Sequence, residues 1–384
     1  MVMAAGVPLS FATWRALLNN FAIEVAQFDG ASMGILQSVR EIPGFLALGV
    51  VFVLLWMREQ TLAVVSLALL GLGTALTGYF PSLVGLCSTT LLMSLGFHYY
   101  ETMQTSLTMQ WVEKARAPEM FGKLIAVGSS MALLSYGLVW VVFEWLQLEF
   151  SITYLVAGSL TLIVAVIAAR GFPHFPQKSV QHKKLILRRR YWLYYALTFM
   201  SGARRQIFVV FAGFLLVEKF SYSVQDIALL FLVTSAVNIP LAPRVGRLIA
   251  RVGERRALIF EYIGLVIVFV AYAFVNHAGL AGLLYIIDHL FFALAIAIKT
   301  YFQKIADGAD IASTAAVGFT INHIAAVVIP VAFGFLWLVS PAAVFLGGAV
   351  MAVISLLLSL NVPRHPEPGN EVTLGRSLSV DVGA

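Results

Sequence analysis

The sequence predicts an all-α membrane protein of twelve transmembrane helices arranged as two six-helix bundles. Three observations carry this. The 384 residues are 60% hydrophobic and only 11% charged, with a mean hydropathy of +0.90. The apolar residues form runs long enough to cross a bilayer. Basic residues gather in every second connection between those runs. A soluble domain carries about 25% charged residues, so a surface this poor in charge faces lipid.

A crossing helix needs about 20 mostly apolar residues. Such stretches lie at 9–28, 32–56, 60–79, 82–109, 120–146, 151–170, 191–217, 224–246, 257–275, 279–304, 311–338 and 341–360. The connections after spans 2, 4, 6, 8 and 10 hold Arg58; Lys114, Arg116 and Lys123; "KSVQHKKLILRRR"; "RLIARVGERR"; and Lys304. The other connections hold almost no Lys or Arg, Lys219 being the exception. Positive charge marks the cytoplasmic side, so both termini are expected inside the cytoplasmic (inner or plasma) membrane. The net charge of +6 is topogenic and implies no nucleic acid. The single Cys87 excludes an intrachain disulfide and any cysteine metal site. The start, "MVMAAGVPLS", lacks the form of a cleavable signal.

The longest connection, 171–190, divides the chain into bundles at 1–170 and 191–360, and a Pro- and Gly-rich tail at 361–384 reads as disordered and cytoplasmic. Halves of equal span number predict a duplication. A shift of 190 residues lays Arg15 on Arg205, His98 on Asp288, and Ala126–Gly128 on Ala316–Gly318.

The spans differ in polarity. A charge at the bilayer centre costs about 2.5–3.5 kcal/mol, so each polar residue in a span faces protein or a water-filled cavity. Span 1 carries Arg15 and Asn19 on one face and Asn20, Glu24 and Gln27 on another, by the 100° step of a helix. Span 2 carries adjacent Arg40 and Glu41, which diverge on a helix and are expected to pair poorly, with Pro43 breaking the ladder just after them. They read as a gate or a bridge to span 1. Span 4 gathers Ser94, His98, Glu101, Thr102, Thr105 and Thr108 along one stripe, expected to line a water-accessible path. In span 5, Gly128 and Gly137 read as close-packing positions. Span 7 holds adjacent Arg204 and Arg205, of which the repeat selects Arg205 for the cavity and leaves Arg204 to an acid or a lipid headgroup. In span 8, Pro240 reads as a bend. Span 10 holds Asp288, His289 and Lys299, and span 11 holds Asn322 and His323. Spans 3, 6 and 12 are nearly free of charge, as peripheral helices are.

Between spans 8 and 9 runs "GRLIARVGERR". It resembles the loop signature of the major facilitator superfamily through Gly246, Arg251, Gly253, Arg255 and Arg256. Ala250 stands where that signature has an acid, and the loop after span 2, "WMREQT", keeps only an arginine. The six-plus-six plan extends the resemblance over all twelve spans. It implies a secondary active transporter working by alternating access, with spans 1, 4, 7 and 10 lining a central cavity. Gly246, Arg251, Gly253 and Arg255 are then gating or structural residues, as are Arg40, Glu41 and Pro43.

The residue chemistry fits a small organic solute, with anions favoured by two guanidiniums. Substrate-binding candidates are Arg15, Asn19, His98, Arg205, Asn322 and His323. Arg15 and Arg205 also read as structural partners of Glu24, Glu41 or Glu101. Proton-coupling candidates are Glu24, Glu101, Asp288 and His289, because buried carboxylates and imidazoles titrate within reach of neutrality. Expected partners are therefore a small-molecule substrate, protons or another coupling ion, and the lipid bilayer, with the chain working as a monomer. No cofactor, metal or enzymatic activity is expected, and no phosphate-binding loop is present. Three rival readings are a proton-driven exporter of amphipathic or cationic compounds, a membrane-embedded enzyme, and a non-transporting sensor with a transporter fold.

Overall fold

The computed structural model describes residues 1–112, 117–171, 187–307 and 311–374. Lys114, Arg116 and most of the basic linker lie outside the described residues. Among the described residues the regular structure is helical, apart from one isolated bridge between Glu367 and Asn370.

The helices follow one another as α1 (Val2–Asn20, continued by a π turn at Phe21–Val25), α2 (Gly30–Phe45, continued by a 3-10 turn at Leu46–Gly49 and a short helix at Val50–Val53), α3 (Glu59–Thr77) and α4 (Leu83–Trp111). Next come α5 (Ala117–Val141, ending in a π turn at Val142–Leu146) and α6 (Phe150–Gly171). α7 (Trp192–Ile207) continues through a π turn at Phe208–Ala212 into Gly213–Phe220, and α8 is Val224–Val252. α9 is Glu254–Phe274, and α10 (Ala278–Phe292) passes a 3-10 turn at Ala293–Ala295 into Ile296–Ile305. The last are α11 (Ile311–Val339) and α12 (Pro341–Leu360). Among the described residues, nine of these stretches are long and apolar enough to cross a membrane by length and composition. α1 and α4 carry the polar residues read above, and α2 has only 16 residues before its 3-10 turn.

Local chemistry sets the helix starts. Asp29 accepts the Ser32 backbone N–H at 2.8 Å and caps α2. Ser82 caps α4 through Gly85 at 3.1 Å, and Ser340 caps α12 through Ala343 at 3.3 Å, with Pro341 at the first turn. These oxygens satisfy backbone donors that no preceding turn can reach.

The turn between α8 and α9 corrects the sequence reading. α8 runs unbroken through Pro240 and Gly246 to Val252, because "RLIARV" is a helix-forming run, and the chain reverses at Gly253 alone. Gly253 has φ 85°, a conformation open to glycine without strain. Arg251 and Arg255 flank it, and buried Glu254 binds Lys304 of α10 at 2.7 Å.

Two compact units result, one of Met1–Gln181 with Val217–Ser235 and the other of His182–Leu216 with Ala236–Ala384. In the first, α1 packs on α5 and α6, and α3 packs on α4 and α6. In the second, α7 packs on α11 and α12, and α9 packs on α10 and α12. Adding six to each helix number carries the first set onto the second, the pairing a duplication leaves. α6 turns Leu155, Ile163 and Ile167 outward, and α12 turns out Val350 and Leu357. These are exposed apolar stripes on two helices whose one charged residue is Arg170, in the last turn of α6.

The first unit closes through glycines and a polar seam. A Cβ on Gly71 of α3 would lie 2.8 Å from the Gly158 carbonyl of α6, so the two backbones touch. Ser10 donates to Thr161 at 2.7 Å, and Thr161 donates to the Gly6 carbonyl at 2.9 Å, which joins α1 to α6 without water. Gly128, expected at such a contact, does not make one: a Cβ there meets nothing within 4 Å among the described residues. At Gly137 the nearest atom, Leu232 Cδ1, is at an ordinary 3.9 Å. Close approach belongs to α3, α4 and α6 instead.

The tail also departs from expectation. Residues 361–374 fold back on the second unit rather than remaining disordered. Val362 is buried, Thr373 N–H donates to the Asn361 carbonyl at 2.9 Å, and Tyr301 of α10 donates to the Glu371 carbonyl at 2.5 Å. Two valines and one tyrosine give this strap enough contact to hold its backbone despite its proline content. Residues 375–384 lie outside the described residues.

Gly71→Val is expected to lower the stability of the detergent-purified protein by about 1–3 kcal/mol, read as a drop in melting temperature, while Gly128→Ala leaves it unchanged. Asp29→Ala is expected to cost about 0.5–1 kcal/mol at neutral pH, near the low end for a cap because the side chain is exposed. The Ser32 backbone N–H is the first cause that holds the Asp29 carboxyl below the usual carboxylate range. Its stabilisation is therefore complete above the unfolded-state value and is lost as pH falls through the folded-state one. The melting temperatures of the variant and the wild type converge in acid.

Candidate functional site

Each unit carries its own set of polar residues. In the first unit, α1 brings Arg15, Asn19 and Asn20 together in its second half. Asn19 and Asn20 are buried. Asn20 donates to the Tyr222 carbonyl and to Glu24, each at 2.8 Å. Arg15 is half-buried, with its guanidinium carbon 4.8 Å from the centre of the Phe231 ring, a cation–π contact. Glu24 corrects an expectation. It lies exposed on the π turn that ends α1, outside the low-dielectric setting proposed for a proton carrier.

α2 and α4 supply the next group. Arg40 and Glu41 are buried and paired with each other, contrary to the sequence reading. The guanidinium arm is long enough to bridge the 100° between neighbours on a helix. Burial makes that pairing worth its ordering cost, since either charge alone would stand uncompensated. Ser94 of α4 donates to the Arg40 carbonyl. The regular helix ends at Phe45, two residues past Pro43. A ligand atom of His98 lies within 4.8 Å of one of Glu41. Phe97 stacks on Phe11 of α1 with ring centres 4.2 Å apart, which fixes the facing of α4.

The α4 stripe is graded rather than uniform. Ser94 and Thr108 are buried, His98 is half-buried, and Glu101 and Thr105 are exposed. Thr102, Thr105 and Thr108 donate to carbonyls of their own helix at 2.9, 3.0 and 2.6 Å. Those hydroxyls are satisfied locally, as threonines in apolar helices are.

In the second unit the two neighbouring arginines of α7 have opposite fates. Arg204 has no exposed surface. It donates to Glu261 of α9 at 3.1 Å and to Ser355 of α12 at 3.0 Å, and lies 4.7 Å over the Tyr262 ring. Arg205, one residue on, is exposed. Asp288 of α10 is fully buried within electrostatic reach of both Arg204 and Glu261. Neither of its oxygens has a hydrogen-bond partner among the described residues. Lys299, on the same helix beyond the 3-10 turn, is exposed.

The histidines sit among aromatic rings. His289 Nδ1 donates to the Tyr285 carbonyl at 3.0 Å, and its ring centre lies 4.5 Å from that of Tyr285 and 6.1 Å from that of Phe208. His323 Nδ1 donates to the Phe319 carbonyl at 3.0 Å. A carbonyl only accepts, so both imidazoles carry the proton on Nδ1. Asn322 is pressed on α7, where a Cβ at Gly202 would meet its Oδ1 at 2.5 Å.

The first helix of each half carries a further irregularity. α1 and α7 each contain a π turn, at Phe21–Val25 and Phe208–Ala212, at nearly the same place in the two halves. Such turns are rare and frequent near functional groups. In α7 the turn begins three residues after Arg205.

The sequence model of the Major Facilitator Superfamily matches residues 2–330. The chain belongs to this superfamily. Among solved structures it is similar to the nucleoside transporter NupG, with a TM-score of 0.76 at 14% identity over 94% of this chain and 96% of that one. It is also similar to a bacterial homolog of the human lysosomal transporter Spinster, in an inward-facing and occupied conformation. There the TM-score is 0.75 at 12% identity, over 94% of each chain. At these identities the likeness establishes the fold. No curated protein matches the sequence. Family, fold and apolar helices together make this an integral membrane protein with the architecture of a secondary transporter.

Within that superfamily architecture, sequence reasoning missed Glu261 and Ser355. Glu261 is the one acid inside the apolar run of α9, and an ionisable residue in a span is by default a functional one. That signal was present. What it lacked was a partner, since Arg204 lies 57 residues away.

Breaking the buried pair is expected to be costly. Arg204→Gln strands Glu261 and should lower stability by about 3–5 kcal/mol, whereas Arg205→Gln leaves the melting temperature close to wild type. Thermal unfolding of the two purified variants side by side checks this.

Proposed function

We propose that the protein is a proton-coupled secondary transporter that moves a small organic anion by alternating access. It would reside in the cytoplasmic membrane with both termini inside and act as a monomer. Bundles at 1–170 and 191–360 would serve as the moving bodies, a division supported by the helix pairings that recur between the two halves.

The observation that carries this reading is Arg205. It stands at the middle of the membrane rod Arg189–Phe220, and its side chain is exposed while its neighbour is locked in an ion pair. A guanidinium at that depth is not presented to hydrocarbon. It faces a polar space, where it can hold a carboxylate or phosphate through two parallel hydrogen bonds. Arg15, half-buried at the matching repeat position, is the second cation, with Asn19, His98, Asn322 and His323 as neutral contacts. Proton coupling falls to carboxylates and imidazoles in the same helices, of which Asp288 is the most deeply buried. NupG transports nucleosides, which are neutral; this chain's cations favour a charged solute.

A ligand that binds only the folded state raises the melting temperature by mass action. Small carboxylates, phosphate esters, sugars, nucleosides and amphipathic cations are screened in detergent on wild type and Arg205→Gln. Stabilisation by one anion class, lost in Arg205→Gln, is expected. Stabilisation by neutral or cationic compounds, undiminished in the variant, would overturn the anion reading. Uptake of the stabilising compound into proteoliposomes should then rise with an imposed pH gradient and collapse with a protonophore.

A further inference from the structure

We infer that the strap at 361–374 is a detachable brake on the second unit. It grips one end of α7 and one end of α10, and each gripped end is set off from the rest of its helix by an irregular turn. The inference is independent of which solute moves and rests on the transporter reading only for its effect on flux.

The strap begins where α12 ends and returns to its own start. The Asn361 carbonyl accepts the Thr373 N–H at 2.9 Å, and Asn361 Oδ1 accepts the Leu374 N–H at 2.6 Å. Inside it, the Asn370 N–H donates to the Glu367 carbonyl at 2.9 Å and the Asn370 side chain to the His365 carbonyl at 2.7 Å. Gly369 makes the turn between them with φ 85°. A compact surface loop whose ends touch, and whose own groups satisfy one another, holds its shape as a body and is frequently functional.

Two polar contacts dock this body. Tyr301 of α10, with no exposed surface, donates to the Glu371 carbonyl at 2.5 Å. Arg190, in the turn Arg189–Tyr191 that opens α7, stands with Nη1 3.9 Å from Glu371 Oε1. Buried Val362 and Val372 add a small apolar contact. Beneath the strap the two helix ends already meet. Arg190 is paired with Asp307, just past the end of α10, and donates to the Tyr191 hydroxyl at 2.6 Å. That hydroxyl also accepts the Asp307 N–H at 3.1 Å. Phe302 of α10 stacks on Tyr194 of α7 with ring centres 4.3 Å apart. The strap closes the remaining side of this junction and ties it to α12.

The docking is built to part without stranding a charge. When the strap leaves, Arg190 keeps Asp307 and Tyr191. The Glu371 carboxylate keeps the Gly369 N–H, at 2.9 Å within the strap, and gains water. The Arg204–Glu261 pair is the opposite case, since separation there leaves both charges buried and uncompensated. One hydroxyl bond, one long ion pair and two valines put the strap at the low end of local stability.

What the strap holds is specific. The gripped part of α7, Trp192–Ile207, carries Arg205 and stops at the π turn Phe208–Ala212. The gripped part of α10, Ile296–Ile305, starts at the 3-10 turn Ala293–Ala295. Such interruptions of the helical ladder are where one part of a helix turns against the other. A docked strap ties both hinged parts to α12, and a released strap removes that tie. It thereby restrains the segment that presents the proposed substrate cation.

The test follows the strap and the helix ends separately, in the purified full-length protein. Cysteines replace exposed Glu367 and Lys299 in a Cys87→Ser background, and nitroxide labels on them report the strap-to-α10 distance by pulsed electron resonance. Hydrogen exchange of the unlabelled protein reports the helices. Wild type is compared with the double variant Tyr301→Phe/Glu371→Gln, which removes both polar docking contacts. Wild type is expected to show one short distance, and the variant to add a longer one. Amides of 192–207 and 296–305 should then exchange about tenfold faster in the variant, with 150–171 unchanged. An unchanged distance distribution overturns the inference, the strap being a fixed wall held by its valines. A longer distance without faster exchange overturns it too, the strap being a passive cover. Faster exchange in 150–171 as well shows a general loss of stability and also overturns it. If the double variant does not fold, Tyr301→Phe alone decides by the same criteria. In proteoliposomes, solute uptake should be severalfold faster in the variant. Uptake unaltered by release overturns the brake. The expected distances and exchange, with no solute moved by either protein, leave the strap's grip standing and fail the transporter reading instead.

Discussion

Hydrocarbon offers no hydrogen bonds, and this one constraint organises the rest of the structure. A polar group at membrane depth that finds no partner within the chain is costly. The backbone meets this demand by being helical throughout its crossings. The side chains meet it in three ways. Thr102, Thr105 and Thr108 bond carbonyls of their own helix. Ser10 and Thr161 join neighbouring helices. Arg204 is enclosed by Glu261, Ser355 and the Tyr262 ring.

The two units apply the same helix pairings to different ends. In the first, the ionisable residues beyond the Arg40–Glu41 pair are half-buried or exposed: Arg15, His98, Glu101 and, at the helix end, Glu24. In the second, three ionisable residues of three helices are withdrawn from all surface. The aromatic packing around them explains how that is tolerated. Phe208, Tyr272, Tyr285 and Phe345 form a continuous set of ring contacts beside the cluster and hold its helices in place. The two halves share helix pairings but not the chemistry placed within them. His98 and Asp288 occupy the same repeat position, yet one lies near Glu41 and the other near Arg204 and Glu261.

A shared fold says little about cargo. The solved relatives match nearly the whole chain in shape at 12–14% identity, a level at which the lining of a cavity is free to differ. Solute choice therefore rests on a few side chains. Adjacent residues of α7 face different surroundings, because a helix separates neighbours by about 100°. Arg204 turns into the unit and becomes part of its interior, while Arg205 turns out and is exposed.

Composition and run length were enough to identify a helical membrane protein, because the bilayer acts on each segment separately. The turn glycine at Gly253 was legible for the same local reason, as was the divergence of the two adjacent arginines. Partnerships were not legible. Glu261 is one acid in an apolar run until α9 is packed on α12 and near α7, and Asp288 is one of several candidates until its oxygens are seen to lack donors. The pairing of Arg40 with Glu41 and the folding back of residues 361–374 likewise escaped sequence rules. Which face a residue presents follows from helical periodicity. What stands opposite that face depends on contacts between segments far apart in the chain, and those only the tertiary structure decided.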